Sequence, residues 1–154
     1  MNAIALRFGT VIFALCMTTP ALAACRRPIT VAETQQMSFG TIAAASGGGT
    51  VTVSSAGITS APGGFALSGA AAAGKFHVTG SRNCAVIITF VAGSLLGPGA
   101  AMQIRNFTTN AGANPTLGPT RPGSLDFSVG ADLAVNPAQL GGNYNGTYTV
   151  TVIY

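Results

Sequence analysis

The C-terminal segment that decides the fold reads GGNYNGTYTVTVIY, residues 141–154. Thr147, Thr149 and Thr151 alternate with apolar and aromatic side chains, which are Tyr148, Val150, Val152 and Tyr154. Because successive side chains of a β-strand point to opposite faces, this alternation predicts a strand over 144–154 with one buried face. A strand this regular at the end of a chain is expected to be held in a sheet.

Shorter alternating runs of the same kind fill much of the chain and are separated by Gly, Pro and Asn. They predict strands at 28–33, 37–42, 49–54, 64–68, 75–79, 84–92, 101–108 and 124–130. With the final strand they indicate an all-β fold. We expect an immunoglobulin-like β-sandwich of short antiparallel strands, and a β-barrel is the alternative.

Four segments carry more specific expectations. Residues 84–92 are apolar at both odd and even positions, which predicts a central strand covered on both faces. In 101–108 the apolar parity changes between Ile104 and Phe107, which predicts a β-bulge. The Gly/Ala-rich stretch 69–74 and the Pro-rich stretch 110–123 are predicted to be loops.

Residues 1–23 have the organisation of a secretory signal peptide. Arg7 supplies a positive charge, and the apolar run that follows it is too short to span a bilayer. Ala21 and Ala23 place small side chains where a signal peptidase requires them, so cleavage is expected just before Ala24. The sequence therefore predicts secretion to the periplasm or cell surface of a bacterium, with no membrane span.

The mature chain, 24–154, is predicted to be a single β-sandwich domain with two cysteines, Cys25 and Cys84. An even pair of cysteines in a secreted chain favours a disulfide. Each cysteine also falls on the same face of its predicted strand as the apolar neighbours. The alternative is a lipid anchor on Cys25, because residues 22–25, LAAC, resemble a bacterial lipobox. Lipidation would attach the protein to a membrane surface and leave Cys84 without its disulfide partner.

The chain is poor in charge, with 7 Lys+Arg and 3 Asp+Glu among 154 residues. Nucleic-acid binding is disfavoured, because phosphate contacts need clustered lysines and arginines. A helical bundle is disfavoured as well, because its exposed faces depend on Glu, Lys and Arg. The basic residues are spread along the sequence and are expected to be solvated surface charges.

The residues available for catalysis are few: Glu33, Asp126, Asp132 and a single histidine, His77. His77 and Asp126 both fall on the solvent face of their predicted strands, whereas a general base needs a positioned partner. The sequence shows no nucleophile elbow, phosphate loop or metal-ligand spacing, so we expect a non-enzymatic protein without a cofactor. A pocket joining His77 to Asp126 would favour an enzyme instead.

Several short blocks, taken in order, resemble the bacterial domain of unknown function 4402. They are MSFGTI at 37–42, TVTV at 50–53, FHVTG at 76–80, DFSVGADL at 126–133 and GNYNGTYTVTV at 142–152. The resemblance extends over nearly the whole mature chain. It implies a secreted, immunoglobulin-like, pilin- or adhesin-like domain, distantly similar to spore-coat-U-type pilins.

The resemblance to pilins implies a role for the final strand, which in such subunits docks on a chaperone or neighbour by strand addition. The residues that would form this docking strand are Gly142, Tyr148, Val150, Val152 and Tyr154. The expected function is therefore structural or surface-assembly, with other pilin-like subunits or a periplasmic chaperone as partners. An adhesin-type module that recognises a surface ligand is the alternative, and an enzyme is the least favoured.

A polymerising pilin also needs a donor strand ahead of its first domain strand. Cleavage before Ala24 leaves almost no chain ahead of Cys25 to provide one. Two alternatives follow from this. Residues 28–36 are themselves the donor arm, or the protein is a tip, a cap or a self-complete domain.

Overall fold

The computed structural model describes residues 25–43, 47–62 and 66–154, with the backbone alone for residues 66 and 67. Every regular element in these ranges is a β-strand, and the strands pair antiparallel. The strands are β1 Thr30–Gln35, β2 Ser38–Ala43, β3 Gly49–Val53, β4 Thr59–Ser60, β5 Ala66–Ala72, β6 Gly74–Gly80, β7 Ile87–Leu96, β8 Met102–Thr109, β9 Gly123–Val135 and β10 Asn145–Ile153. The all-β prediction is confirmed, and the predicted signal peptide with its cleavage site lies outside the described residues.

Eight strands form one curved sheet. Six of them follow one another in the order β1-β6-β9-β8-β7-β10, β3 pairs with β9, and β4 pairs with β3. The remaining two strands, β2 and β5, form a separate sheet. This arrangement fits both the predicted sandwich and its barrel alternative. All nine predicted strands have a counterpart, whereas the two-residue strand β4 was not predicted because it is too short to show alternation.

The long strand β9 joins the two halves of the large sheet. Its first part, Gly123–Val129, pairs with β6, and its second part, Ala131–Val135, pairs with β3 along the same edge. The exchange of partners occurs at Gly130, where a Cβ atom would collide with the carbonyl oxygen of Val53 and the backbone that follows it. A glycine is therefore required here because two strands meet the chain at the same point.

The core consists of two apolar clusters that share the half-buried Phe107. The first is built on β3, β8 and β9, and the second on β6, β9 and β10. Six predicted inward residues are buried in them: Val51, Val53, Phe76, Val78, Phe127 and Val129. Leu125 is half-buried, and the side chains of Phe65 and Leu67, also predicted to point inward, lie outside the described part of the structure.

The predicted bulge in β8 is confirmed. The register between β8 and β9 shifts between Arg105 and Thr108, and Asn106 adopts a left-handed backbone conformation with φ of 52°. The Asn106 side chain donates from Nδ2 to Oδ2 of Asp132 at 2.8 Å, which ties the bulge to β9.

Two predictions about local structure are wrong. Residues 84–92 are not covered on both faces, because Ile87 and Val91 are 56% and 59% exposed while Ile88 and Phe90 of the same strand face the core. The stretch 69–74 is not a loop but the end of β5 and the start of β6. Its small side chains allow close packing, and a Cβ at Gly74 would lie 2.6 Å from the Tyr148 hydroxyl.

Candidate functional site: a groove between β2 and β10

The final strand is held in the large sheet, as its alternation predicted, and it forms one edge of that sheet. On one face, Thr147, Thr149 and Thr151 are exposed; on the other, Val152 is buried and Tyr148 and Val150 are half-buried. β10 pairs with β7 from Asn145↔Leu96 to Ile153↔Ile87. Its other edge has no strand partner among the described residues.

The small sheet presents a second unpaired edge beside it. β2 pairs with β5 only, within the residues that the structure describes. Between β2 and the start of β10 lies a groove of about 700 Å³, lined by residues 36–43 on one side and 139–146 on the other. Two strand edges with unused backbone donors and acceptors therefore border one groove.

The floor and walls of the groove carry no charged side chain. Core residues of β7, β8 and β9 form the floor: Leu95, Met102, Ile104, Leu133 and Val135. Most of them are already nearly covered, so the apolar surface open to a ligand is mainly Met37, Ile42 and Tyr144, which are half-buried, and Leu140, which is 59% exposed. Polar groups, including Thr41 and Asn143, form the rest of the open lining. The volume lies within the ~300–1,000 Å³ typical of ligand-binding clefts.

The wall formed by residues 139–144 is held rigid by one tyrosine. The Tyr144 hydroxyl accepts hydrogen bonds from the Gly99 backbone at 2.8 Å and from Gln139 Nε2 at 2.7 Å, and it donates to the Leu140 carbonyl at 2.8 Å. In the same wall Gly142 has φ of 151°, and a Cβ there would lie 2.6 Å from the Pro98 ring. Glycine is needed at 142 to let the wall approach Pro98.

Tyr148 stands at the inner end of the groove, and its environment differs from that of Tyr144. Its hydroxyl is buried and has no hydrogen-bond partner, although it lies beside the backbone of Gly74. Burial, together with the negative charge of Glu33, raises the pKa of Tyr148 to about 12. The alternating pattern predicted that this side chain turns inward but gave no signal of its unpaired hydroxyl.

The predicted docking residues do not all meet at the groove. Gly142 and Tyr148 line it, whereas Val150 and Val152 pack into the second core cluster. Tyr154 lies at the opposite end of β10, where its hydroxyl accepts a hydrogen bond from the Ser81 amide at 2.6 Å and donates to the Arg27 carbonyl at 2.7 Å. Sequence reasoning missed the opposite wall, β2, for which the uncharged block MSFGTI was the available signal.

The predicted disulfide is present, with the Cα atoms of Cys25 and Cys84 6.0 Å apart. It uses the Cys25 sulfur that the lipid-anchor alternative would require. Cys84 is buried as its parity predicted, but Cys25 is exposed because it precedes the first strand instead of lying within one.

His77 and Asp126 face each other across the β6–β9 pairing, with Nδ1 and Oδ1 2.6 Å apart. The side chains are 40% and 80% exposed, and neither lines the groove. Neither His77 nor Asp126 lines the groove or the smaller cavity at Arg27, Arg82 and Arg121. Within 25–43, 47–62 and 66–154 no three His, Cys, Asp or Glu side chains cluster as metal ligands, and no helix there has the length and hydropathy to cross a membrane.

A family model described as Domain of unknown function (DUF4402) matches residues 29–154. The match covers all the blocks that suggested the resemblance, including both strands that border the groove. No curated protein and no solved structure matches the chain.

Proposed function

The chain belongs to the DUF4402 family, and we propose that it is a secreted, non-enzymatic structural subunit that assembles by accepting a β-strand in the groove between β2 and β10. The observation that carries this proposal is the pair of strand edges, unpaired among the described residues, along one uncharged groove. An added strand would satisfy backbone groups of an edge while its side chains fill the groove. The surface or periplasm of a bacterium is the location that fits such a role.

The sequences of the two edges support strand addition. Proteins normally protect exposed edges with charges, prolines or bulges, since an unprotected edge pairs with other chains. β2 (SFGTIA) and β10 (NGTYTVTVI) contain neither a charged residue nor a proline. All three strands contain a register shift, at Glu33/Gln35 in β1, Phe39/Thr41 in β2 and Thr147/Thr149 in β10. They differ in charge, because the edge strand β1 carries Glu33. The charged edge of β1 and the uncharged edges at the groove favour the groove as the assembly surface.

The proposed occupant is a strand of another pilin-like subunit. Most of the predicted donor arm, residues 28–36, is already used within the chain, since Thr30–Gln35 pairs with β6. An arriving strand matched to β2, which has six residues, would span about 20 Å at the usual rise per residue. A periplasmic chaperone would use the same edges before assembly.

A charge placed in the groove tests the proposal. Leu140→Lys puts an ammonium group in the uncharged lining at a side chain that is 59% exposed, so the fold should be retained. We expect assemblies of the secreted protein, measured by light scattering and electron microscopy, to fall at least about tenfold, because the lysine must be desolvated when a strand docks.

The matched control is Leu96→Lys, at a side chain that is 66% exposed on β7 and does not line the groove. This variant should assemble as the unmodified protein does. Equal assembly by Leu140→Lys, or an unmodified protein that stays a monomer when purified from the periplasm or surface with its natural partners present, would overturn the proposal.

An adhesin-type module would contact its ligand through exposed aromatic side chains. Tyr144 and Tyr148 are half-buried, and the hydroxyls of Tyr144 and Tyr154 bond to nearby backbone groups. These contacts favour the structural role over ligand recognition by the tyrosines.

A further inference from the structure

Arginines that are distant in sequence meet at the end of the molecule opposite the groove wall, near Tyr154. Arg27, Arg82 and Arg121 line a cavity of about 220 Å³ together with Ser81, Pro122 and two glycines, Gly80 and Gly123. Arg26 is the immediate chain neighbour of Arg27. All three arginines are exposed, as expected of solvated surface charges, but they lie closer together than their spread along the sequence suggested.

Three long-range links bring the arginines together. The Cys25–Cys84 disulfide joins the segment before Arg27 to the turn after Arg82. The Arg27 amide donates to Ser81 Oγ at 2.8 Å, and its carbonyl accepts from the Tyr154 hydroxyl at 2.7 Å. The backbone of Arg27 is thus held from both sides, while its side chain is exposed.

Glycines let the third arginine approach. Gly80 and Gly123 are paired in the β6–β9 register at the base of the cavity. A Cβ at Gly123 would lie 2.6 Å from the Arg82 Cα and 2.8 Å from its amide nitrogen. Because this contact is so close, the start of β9 places Arg121 beside the turn that carries Arg82.

The positive charge of the cluster is not neutralised within the described residues. The ion pair found there joins His77 to Asp126, and none includes Arg27, Arg82 or Arg121. Asp132 accepts hydrogen bonds from Thr52 and Asn106 instead. Guanidinium groups present planar arrays of donors that match the oxygens of phosphate and sulfate, and arginine clusters commonly recognise such groups.

We propose that the Arg27–Arg82–Arg121 cavity binds a phosphate or sulfate group. Its volume is below the ~300–1,000 Å³ of clefts that enclose whole small molecules, so it suits one tetrahedral anion, free or carried on a larger molecule. The site is separate from the groove and does not depend on the proposed assembly.

The test is a titration of the mature protein with inorganic phosphate and with sulfate, followed by NMR of the arginine side chains and the Gly80 and Gly123 amides. We expect saturable shifts at these groups. In the double variant Arg82→Gln/Arg121→Gln the affinity should fall at least about tenfold, since each lost charged hydrogen bond is worth on the order of a factor of ten. The single variant Arg105→Gln, on β8 and outside the cavity, is the control and should bind normally.

Absence of saturable shifts, or an equal loss in Arg105→Gln, would overturn the site, provided that circular dichroism shows the variants folded. Two further arms identify the source of the anion: vesicles containing an anionic phospholipid, and a sulfated oligosaccharide. If the vesicles or the oligosaccharide bind the unmodified protein but not the double variant, that molecule is the carrier of the anion. Binding of inorganic phosphate or sulfate without either carrier assigns a free ion, and carrier binding that persists in the double variant contradicts a role for this cavity.

Discussion

At the scale of single residues, two tyrosines beside the groove have opposite roles. The Tyr144 hydroxyl makes three hydrogen bonds that fix the groove wall. The Tyr148 hydroxyl is buried without a partner, which is costly because the group has lost its water. The two hydroxyls therefore contribute to the stability of the fold with opposite sign.

The pair Tyr148→Phe and Tyr144→Phe tests this difference. We expect Tyr148→Phe to leave the free energy of unfolding unchanged or to raise it by up to about 1 kcal/mol, because it removes an unsatisfied group. Tyr144→Phe should lower it by about 1–2 kcal/mol, because it leaves the partners of three hydrogen bonds unpaired. Urea unfolding at neutral pH measures both changes, and the reverse order would contradict the hydrogen-bond assignments.

Alkaline pH gives an independent test of Tyr148. Its pKa of about 12 in the folded state lies above the ordinary value of 10.0. Below pH 10 both folded and unfolded chains keep the proton, so Tyr148 has no effect on the pH dependence. Between pH 10 and 12 only the unfolded chain ionises, so stability should fall with rising pH more steeply in the unmodified protein than in Tyr148→Phe. Parallel curves for the two proteins would show that the hydroxyl is not buried.

At the scale of elements, one carboxylate joins three strands. Asp132 on β9 accepts from Thr52 of β3 at 2.6 Å and from Asn106 of the β8 bulge at 2.8 Å. Asp126 on the same strand has His77 as its partner and is 80% exposed. The two aspartates therefore offer a comparison of an acid that connects elements with an acid on the open surface.

We expect Asp132→Ala to lower the free energy of unfolding by about 1–3 kcal/mol, since bonds to a charged acceptor are lost and the bulge loses its support. Asp126→Ala should change it by less than about 0.5 kcal/mol, because exposed pairs contribute little. Thermal unfolding of the two variants and the unmodified protein measures both changes in stability. Equal losses would mean that Asp132 does not hold the strands together.

The strands could be predicted where alternation is strong and not where another feature overrides it. The alternation in β10 was sufficient to predict that strand, and the change of alternation in β8 was sufficient to predict its bulge, because one face of each strand is covered. The two-sided apolar pattern at 84–92 misled, because Ile87 and Val91 are apolar yet exposed. The Gly/Ala stretch at 69–74 misled because small residues there serve close packing, as at Gly74 beneath Tyr148.

The candidate sites were less predictable than the strands. The block containing β2 was identified by resemblance, but its position opposite β10 depends on the pairing of β2 with β5, which no local pattern encodes. The arginine cavity draws on positions 27, 82 and 121, and a disulfide and a terminal tyrosine bring them together. Only tertiary structure reveals such a site, because its members are far apart in the chain.

At the scale of the whole molecule, the two ends have different characters. One end holds an uncharged groove between uncharged strand edges, and the other holds three arginines around a small cavity. The edge strand β1 carries the charged Glu33, whereas β2 and β10 contain no charged residue. This contrast makes the groove the place where we expect another subunit to add a strand.

Hydrogen exchange of backbone amides, compared between the monomer and the assembled protein, tests this claim most directly. Strand addition should slow exchange at alternate amides of β2, Ser38–Ala43, or of the start of β10, Asn145–Tyr148, because these groups gain partners. Exchange along β1, Thr30–Gln35, should not change. Slowed exchange confined to β1, or assembly that leaves both edges of the groove exchanging as in the monomer, would contradict the account.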